Sequence, residues 1–358
     1  MKKYILSIAI LFICSKVSFG QKKRSSKNFK ALRYILKCNP EIDTDKDGIL
    51  TETEYRTFQG HGIPNRKKLD FKGYYSYVNN LPYADTGNEK QTLDILTPVI
   101  QKNKKLPAII FIHGGGWKKG SKEWVLRVMD PILASGDYIG VSVNYRLSGD
   151  AKWPAQLYDC KAAIRWVKAN AKAYGIDKDK IAIWGTSAGG HIASMLAVTA
   201  DNNNYEGNLG KHLNESSTAT CVIDGYGPKD LLINKSVSAI PKLVGNNFKD
   251  TSYNAFNLLV DIKKLKERAK KASPLYHINP KMTPLFLYHG TEDSIVDIAH
   301  SQSFYAKAKA LGVSKIFLTK VNGLKHEAII SKALKSRLFK FLEAYLYNKK
   351  GMITSGSI

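Results

Sequence analysis

Apolar positions fall in two regimes along the chain. From residue 88 onward, short continuous apolar runs alternate with longer stretches of helical period. The runs Thr92–Leu96, Leu106–Ile112, Tyr138–Val143, Lys180–Trp184, Ala219–Asp224, Pro284–Tyr288 and Lys315–Lys320 are each short, and several are rich in Ile and Val. They predict buried strands. Between them, Trp153–Tyr174, the run from Ala188 through Val198, and Ser331–Tyr347 predict helices, the first closed by Gly175. Strands alternating with helices specify an α/β fold with a mostly parallel sheet covered on both faces. Residues 231–272 are lysine-rich and fall between two strands, where an insertion or cap over a site is expected.

The N-terminal part follows a different pattern. Lys2 and Lys3 precede an apolar run from Ile5 to Ile13, and small Ser18 and Gly20 stand before Gln21. That arrangement predicts an export signal over 1–20, leaving a secreted or periplasmic protein. The run is too short to span a bilayer, and no later run of about 20 apolar residues follows, so no transmembrane segment is expected. Two helical stretches, Phe29–Cys38 and Thr51–Gln59, flank an acidic loop within a segment at 28–60. Residues 61–87 are polar and aromatic and read as a linker to a catalytic domain at 88–350.

The acidic loop, Asp43 to Glu54, fills the twelve-position template of an EF-hand. Asp43, Asp45 and Asp47 take positions 1, 3 and 5, with Gly48 at 6. Ile49 offers its carbonyl at 7, Thr51 acts through water at 9, and Glu54 closes the site at 12. Carboxylates this close repel one another unless a cation neutralises them, so bound Ca²⁺ is expected, with a structural role.

Composition adds a constraint. The 358 residues are 44% hydrophobic and 24% charged, enough to bury a core, and carry a formal net charge of +25. The lysines are scattered; only Lys22-Lys23-Arg24 clusters, and no nucleic-acid-binding motif accompanies them. A basic surface follows rather than a nucleic-acid partner. Beyond the signal, Cys38, Cys160 and Cys221 remain, an odd number, and whether Cys160 pairs with Cys221 stays open.

Chemistry concentrates in three places. Gly185-Thr186-Ser187-Ala188-Gly189 matches G-x-S-x-G between a strand and a helix, the frame of a nucleophile elbow, which makes Ser187 the expected nucleophile. His113-Gly114-Gly115-Gly116-Trp117 follows a strand directly. It lacks the G-K-[ST] ending of a P-loop and the spacing of a dinucleotide fingerprint. Its glycines let backbone N–H groups approach a reacting carbonyl, so Gly115, Gly116 and Ala188 are the expected oxyanion donors. In this strand–turn–helix frame the acid and then the histidine follow the serine along the chain. His326 alone follows the last strand by a short loop; Asp293 follows the preceding strand, with Glu292 and Asp297 as alternatives.

These runs, with Asn144-Tyr145-Arg146-Leu147 and Trp153-Pro154-Ala155-Gln156, resemble the lipase/esterase branch of the α/β hydrolases. So do Asp159 through Trp166, Trp184 through His191, and His289-Gly290-Thr291-Glu292-Asp293. That branch includes bacterial enzymes similar to feruloyl and acetyl-xylan esterases and lies close to kynurenine formamidases. The resemblance covers about residues 88–348. It implies an α/β-hydrolase fold, a Ser187–His326–Asp293 triad and hydrolysis of carboxylic esters through an acyl-enzyme, with polysaccharide-linked esters as one substrate class. Thr186 departs from the Gly-Asp-Ser-Ala-Gly form of the hormone-sensitive-lipase relatives. An amidase or formamidase with the same triad, or a calcium-dependent binding module on an inactive scaffold, are the competing readings.

Overall fold

The computed structural model describes residues 45–49, 75–98, 105–124, 133, 135–200, 202–232, 243–245 and 255–358. Contacts divide the chain into Met1–Tyr77 and Val78–Ile358. The expected signal at 1–20 lies outside the described residues, as does most of the segment at 28–60.

Nine described strands form one sheet: β1 (Tyr75–Pro82), β2 (Thr92–Pro98), β3 (Leu106–Ile112), β4 (Ile139–Val143), β5 (Ile176–Thr186), β6 (Cys221–Gly225), β7 (Leu285–Gly290), β8 (Ile316–Val321) and β9 (Gly356–Ser357). Their spatial order is β1-β2-β4-β3-β5-β6-β7-β8-β9. β2 runs antiparallel to β4, and every pair from β4 to β9 is parallel. A parallel sheet must be covered on both faces, and β3, β4, β6 and β7 are buried at every position.

The helices supply that cover. On one face, α1 (Ala155–Ala169), α2 (Ala188–Val198), α3 (Ala255–Lys271) and α4 (Ala299–Ala310) contribute residues such as Leu157, Ile192, Ala269 and Phe304 to the core that contains Ile110, Ile183 and Leu285. On the other, Phe341 of α5 (Lys332–Leu346) packs on Phe286 and Phe317, which point oppositely from Leu285 and Leu318. α2 is buried along its whole length, which explains why it reads as apolar all round.

Four expectations shift. The segment expected to be a linker at 61–87 contains β1, and β9 lies beyond residue 350; both are edge strands without an apolar run. The helix expected over Trp153–Tyr174 is α1 followed by a 3-10 turn at Ala171–Tyr174, with Gly175 in the left-handed region at φ +67°. β5 starts earlier than Lys180, at a polar, partly exposed stretch that the apolar pattern does not mark. The residues at 231–272 are not only an insertion: Leu231, Leu243, Val244, Ala269 and Ala272 are buried in the main core. Cys160 and Cys221 are both buried free thiols. No described helix is long and apolar enough to cross a membrane.

Candidate active site

Parallel register carries several loops to one edge of the sheet. Ile112 pairs with Gly185, Thr186 with Gly225, Gly225 with Tyr288, and Gly290 with Val321. The residues just after β3, β5, β6, β7 and β8 therefore meet at the carboxyl ends of the strands, where open α/β sheets bind ligands.

The elbow is built by steric necessity. Ser187 sits at φ +55°, ψ −121°, a sparsely populated region for a side chain, and caps α2. Its N–H donates to the Gly225 carbonyl at 2.8 Å, and its carbonyl accepts from His191 N–H at 3.0 Å. A Cβ on Gly185 would stand 2.0 Å from the Gly189 carbonyl oxygen, and one on Gly189 would stand 2.1 Å from that of Ile112. The helix can start this close to the central strands only with glycine at both places.

Ser187, Asp293 and His326 are brought together. His326 Nδ1 lies 2.7 Å from Asp293 Oδ2, and its Nε2 lies 2.8 Å from Ser187 Oγ. A carboxylate can only accept, so Nδ1–H donates to Asp293 and Nε2 is left to accept from the serine hydroxyl. Asp293 Oδ1 accepts from the N–H groups of Ile295 and Val296, each at 2.9 Å. Burial opposes charge at Asp293, but hydrogen bonds from His289, His326 and the Val296 backbone outweigh it and hold the carboxyl well below the usual range. Of the alternatives, Glu292 donates its N–H to the Leu324 carbonyl, and Asp297 caps the N–H of Ala299.

The glycine loop lies against the serine: a Cβ on Gly114 would meet Ser187 Cβ at 3.1 Å. Gly115 and Gly116 take φ of +109° and +59°, and a Cβ on Gly115 would strike the Lys119 carbonyl oxygen at 2.0 Å. Among the described residues, the N–H groups of Gly115, Gly116 and Ala188 have no hydrogen-bond partner. His113 is structural. Its ring is buried, stacks on Tyr145 at 4.3 Å, and donates from Nδ1 to the Gly114 carbonyl at 2.7 Å. Burial pushes its imidazole down to about 4.

Two neighbours of the relay escape sequence reasoning. Tyr226, at φ +46°, sets its ring edge-on to His326 at 4.7 Å. The flanking Gly225 and Gly227 are the only sequence sign of that turn. His289 Nε2 donates to the Val296 carbonyl at 2.8 Å and lies 3.3 Å from Asp293 Oδ2, so it braces the acid's loop from behind. Its position four residues before Asp293 is visible in sequence, its direction is not.

Of the acidic loop, residues 45–49 are described. Asp45 Oδ1 accepts from Asp47 N–H at 3.2 Å, and Asp47 Oδ1 from Ile49 N–H at 2.7 Å. Gly48, at the sixth loop position, has φ +76°, the left-handed turn that an EF-hand needs there. Asp43, Thr51 and Glu54 lie outside the described residues. Among the described residues no group of three His, Cys, Asp or Glu side chains could hold a metal.

Comparison with known proteins places these features in context. The BD-FAE family model matches residues 93–308, a span that includes Ser187 and Asp293 and stops short of His326. Esterase LipC of Mycobacterium tuberculosis (strain ATCC 25618 / H37Rv) is 26% identical over 258 residues, 70% of this chain; the chain spans 60% of the length of that relative. A truncated carbohydrate esterase from gut microbiota is 26% identical with a TM-score of 0.68, over 78% of this chain and 99% of its own. A bifunctional GH43-CE protein of Bacteroides eggerthii is 26% identical with a TM-score of 0.67, over 75% of this chain and 35% of its own.

Proposed function

Because the chain belongs to the BD-FAE family, we propose that it is a carboxylic-ester hydrolase that removes acyl groups from carbohydrate through a Ser187 acyl-enzyme. The observation that carries this reading is the continuous relay from Asp293 through His326 to Ser187, at 2.7 and 2.8 Å, beside three backbone N–H groups with no partner among the described residues.

The steps follow from the geometry. His326 Nε2 takes the Ser187 proton as Oγ attacks the ester carbonyl. Asp293 holds the imidazole in the tautomer that leaves Nε2 free, and stabilises the imidazolium that forms. The carbonyl oxygen becomes an oxyanion, which the N–H groups of Gly115, Gly116 and Ala188 receive. One such donor lowers the barrier by about 3–4 kcal/mol. The proton on Nε2 then passes to the departing alkoxide, and the acyl group stays on Oγ. Water, deprotonated by the same imidazole, releases the acid and restores the serine. Carbohydrate as the alcohol is supported by the carbohydrate esterases among the structural neighbours.

The residues at 43–54 are read as a Ca²⁺ loop, with Asp43, Asp45, Asp47, the Ile49 carbonyl, Thr51 through water and Glu54 around the ion. The left-handed Gly48 fits that group. The ion would neutralise the clustered carboxylates and takes no part in acyl transfer. Ca²⁺ should raise the melting temperature, and Glu54→Gln should abolish that rise while leaving the Ser187 chemistry intact. Residues 1–20 are read as an export signal, and N-terminal sequencing of exported protein should begin at Gln21.

The deciding assay is hydrolysis of p-nitrophenyl acetate, p-nitrophenyl butyrate and acetylated xylan by the protein and its Ser187→Ala variant. Turnover should fall by at least about 10⁴-fold in the folded variant. Turnover of anilides but not of esters would move the assignment to amides. No turnover of either by folded protein would overturn it.

A further inference from the structure

A groove of about 500 Å³ opens beside the first turn of α1. Trp153, Tyr158 and Tyr205 wall it, Asn204, Arg268 and Lys271 supply polar groups, and no residue of the Ser187–His326–Asp293 relay lines it. The volume falls in the range of sites that take small ligands, about 300–1,000 Å³. Among the described residues, two cations and no carboxylate line the groove.

The aromatic walls are fixed in place. Trp153 meets the ring of buried His191 at 5.0 Å, and His191 lies one turn beyond Ser187 on α2. The Tyr205 hydroxyl donates to the Lys271 carbonyl at 3.3 Å. Arg268 Nη2 donates to the Gly245 carbonyl at 2.7 Å, which orients the guanidinium; among the described residues its remaining N–H groups have no partner. The groove's other polar groups face solvent. Among the described residues, Trp153 Nε1, the Tyr158 hydroxyl, the Asn204 side-chain amide and the Lys271 ammonium make no hydrogen bond or ion pair.

Half-buried rings offer flat apolar faces to a ligand that is itself a ring with apolar C–H faces, and the unpaired donors match a ligand rich in hydroxyls. Arg268 and Lys271 add a demand that a neutral sugar does not meet: a planar, charged acceptor such as a carboxylate. We propose that this groove binds a uronic-acid-bearing stretch of the polysaccharide whose ester is cleaved at Ser187. The inference rests on the reading of the ester as carbohydrate-borne. It also gives the chain's net charge of +25 a local use.

Full-length Ser187→Ala protein, which binds without turning over, is titrated calorimetrically with trigalacturonate and with xylotriose. The acidic trimer should bind, and more weakly as salt rises. Arg268→Gln with Lys271→Gln should weaken it about five- to tenfold, the scale of two exposed ion pairs. Tyr158→Ala should weaken it as well, and equal melting temperatures would show that each variant is folded. With Ser187 restored, the Arg268→Gln/Lys271→Gln protein should turn over p-nitrophenyl acetate as before. Absence of trigalacturonate binding, or binding indifferent to these substitutions, would overturn the groove assignment. Equal affinity for xylotriose would overturn its acidic class. If the groove binds but folded Ser187 protein cleaves no ester, the esterase reading fails alone; if esters are cleaved without groove binding, the groove assignment fails alone.

Discussion

Lys229 is fully buried, and its environment sets a large price for removing it. Its Nζ lies 2.5 Å from Asp224 Oδ2 and donates to the Gly227 carbonyl at 2.5 Å. Asp224, equally buried, also accepts from Ser194 Oγ and, through Oδ1 at 2.9 Å, from Gly227 N–H. Burial lowers the Lys229 pKa, and the Asp224 charge opposes that shift. Lys229→Met would keep the length of the side chain but leave a buried carboxylate facing, among the described residues, only two neutral donors, and a carbonyl facing none. Breaking a buried pair from one side costs about 3–5 kcal/mol, a large part of the 5–15 kcal/mol that typically holds a domain folded. Urea melts measure the loss. The double variant Asp224→Asn/Lys229→Met removes the stranded charge and should recover at least ~1 kcal/mol relative to Lys229→Met alone. Activity should fall with stability, because the same turn holds the Ser187 N–H through Gly225 and seats Tyr226 against His326. A single-variant loss below ~1 kcal/mol, or strictly additive losses, would refute this account of the pair.

Asp293→Asn should lower kcat by about 10⁴-fold in steady-state assays with the fold intact, because the amide favours the imidazole tautomer that cannot accept from Ser187. His289→Gln should lower kcat by about tenfold with KM unchanged, since His289 acts through the loop of the acid and touches no substrate. Gly189→Ala should give little folded protein by circular dichroism, because backbone oxygens of Ile112 and His113 stand 2.1 and 2.6 Å from the added carbon and cannot yield cheaply. His113, His191 and His300 are each pushed down to about 4, chiefly by burial. Between about pH 6.5 and that value the unfolded chain takes up protons that the folded one refuses, so stability should fall as pH drops through this window. The slope should approach ~3 protons, and His300→Asn should make it shallower.

Much of the fold was legible because its determinants are local. Parallel strands buried on both faces read as continuous apolar runs, and β3 was expected with the boundaries it has, Leu106–Ile112. The elbow was legible because a strand that reverses into a helix needs glycine where Cβ atoms would strike backbone. The order of Ser187, Asp293 and His326 along the chain was legible because each follows a strand that ends on the same edge. Edge strands β1 and β9 were not, since an edge needs only one partner and no apolar run.

What the sequence by itself determined, then, is an alternating α/β chain with a serine at a strand-to-helix turn, a glycine loop, and carboxylates and a histidine that follow in order. Only the tertiary structure decided which acid meets the imidazole. Glu292, Asp293 and Asp297 lie within six residues and look alike in one dimension; the turn held by Ile295 and Val296 aims only Asp293 at His326. The structure alone also brought Lys229 to Asp224, His289 behind Asp293, and Trp153, Tyr205 and Lys271 around one groove. Those meetings join residues from different elements, and their physical cause is three-dimensional packing, in which direction and distance matter and position along the chain does not.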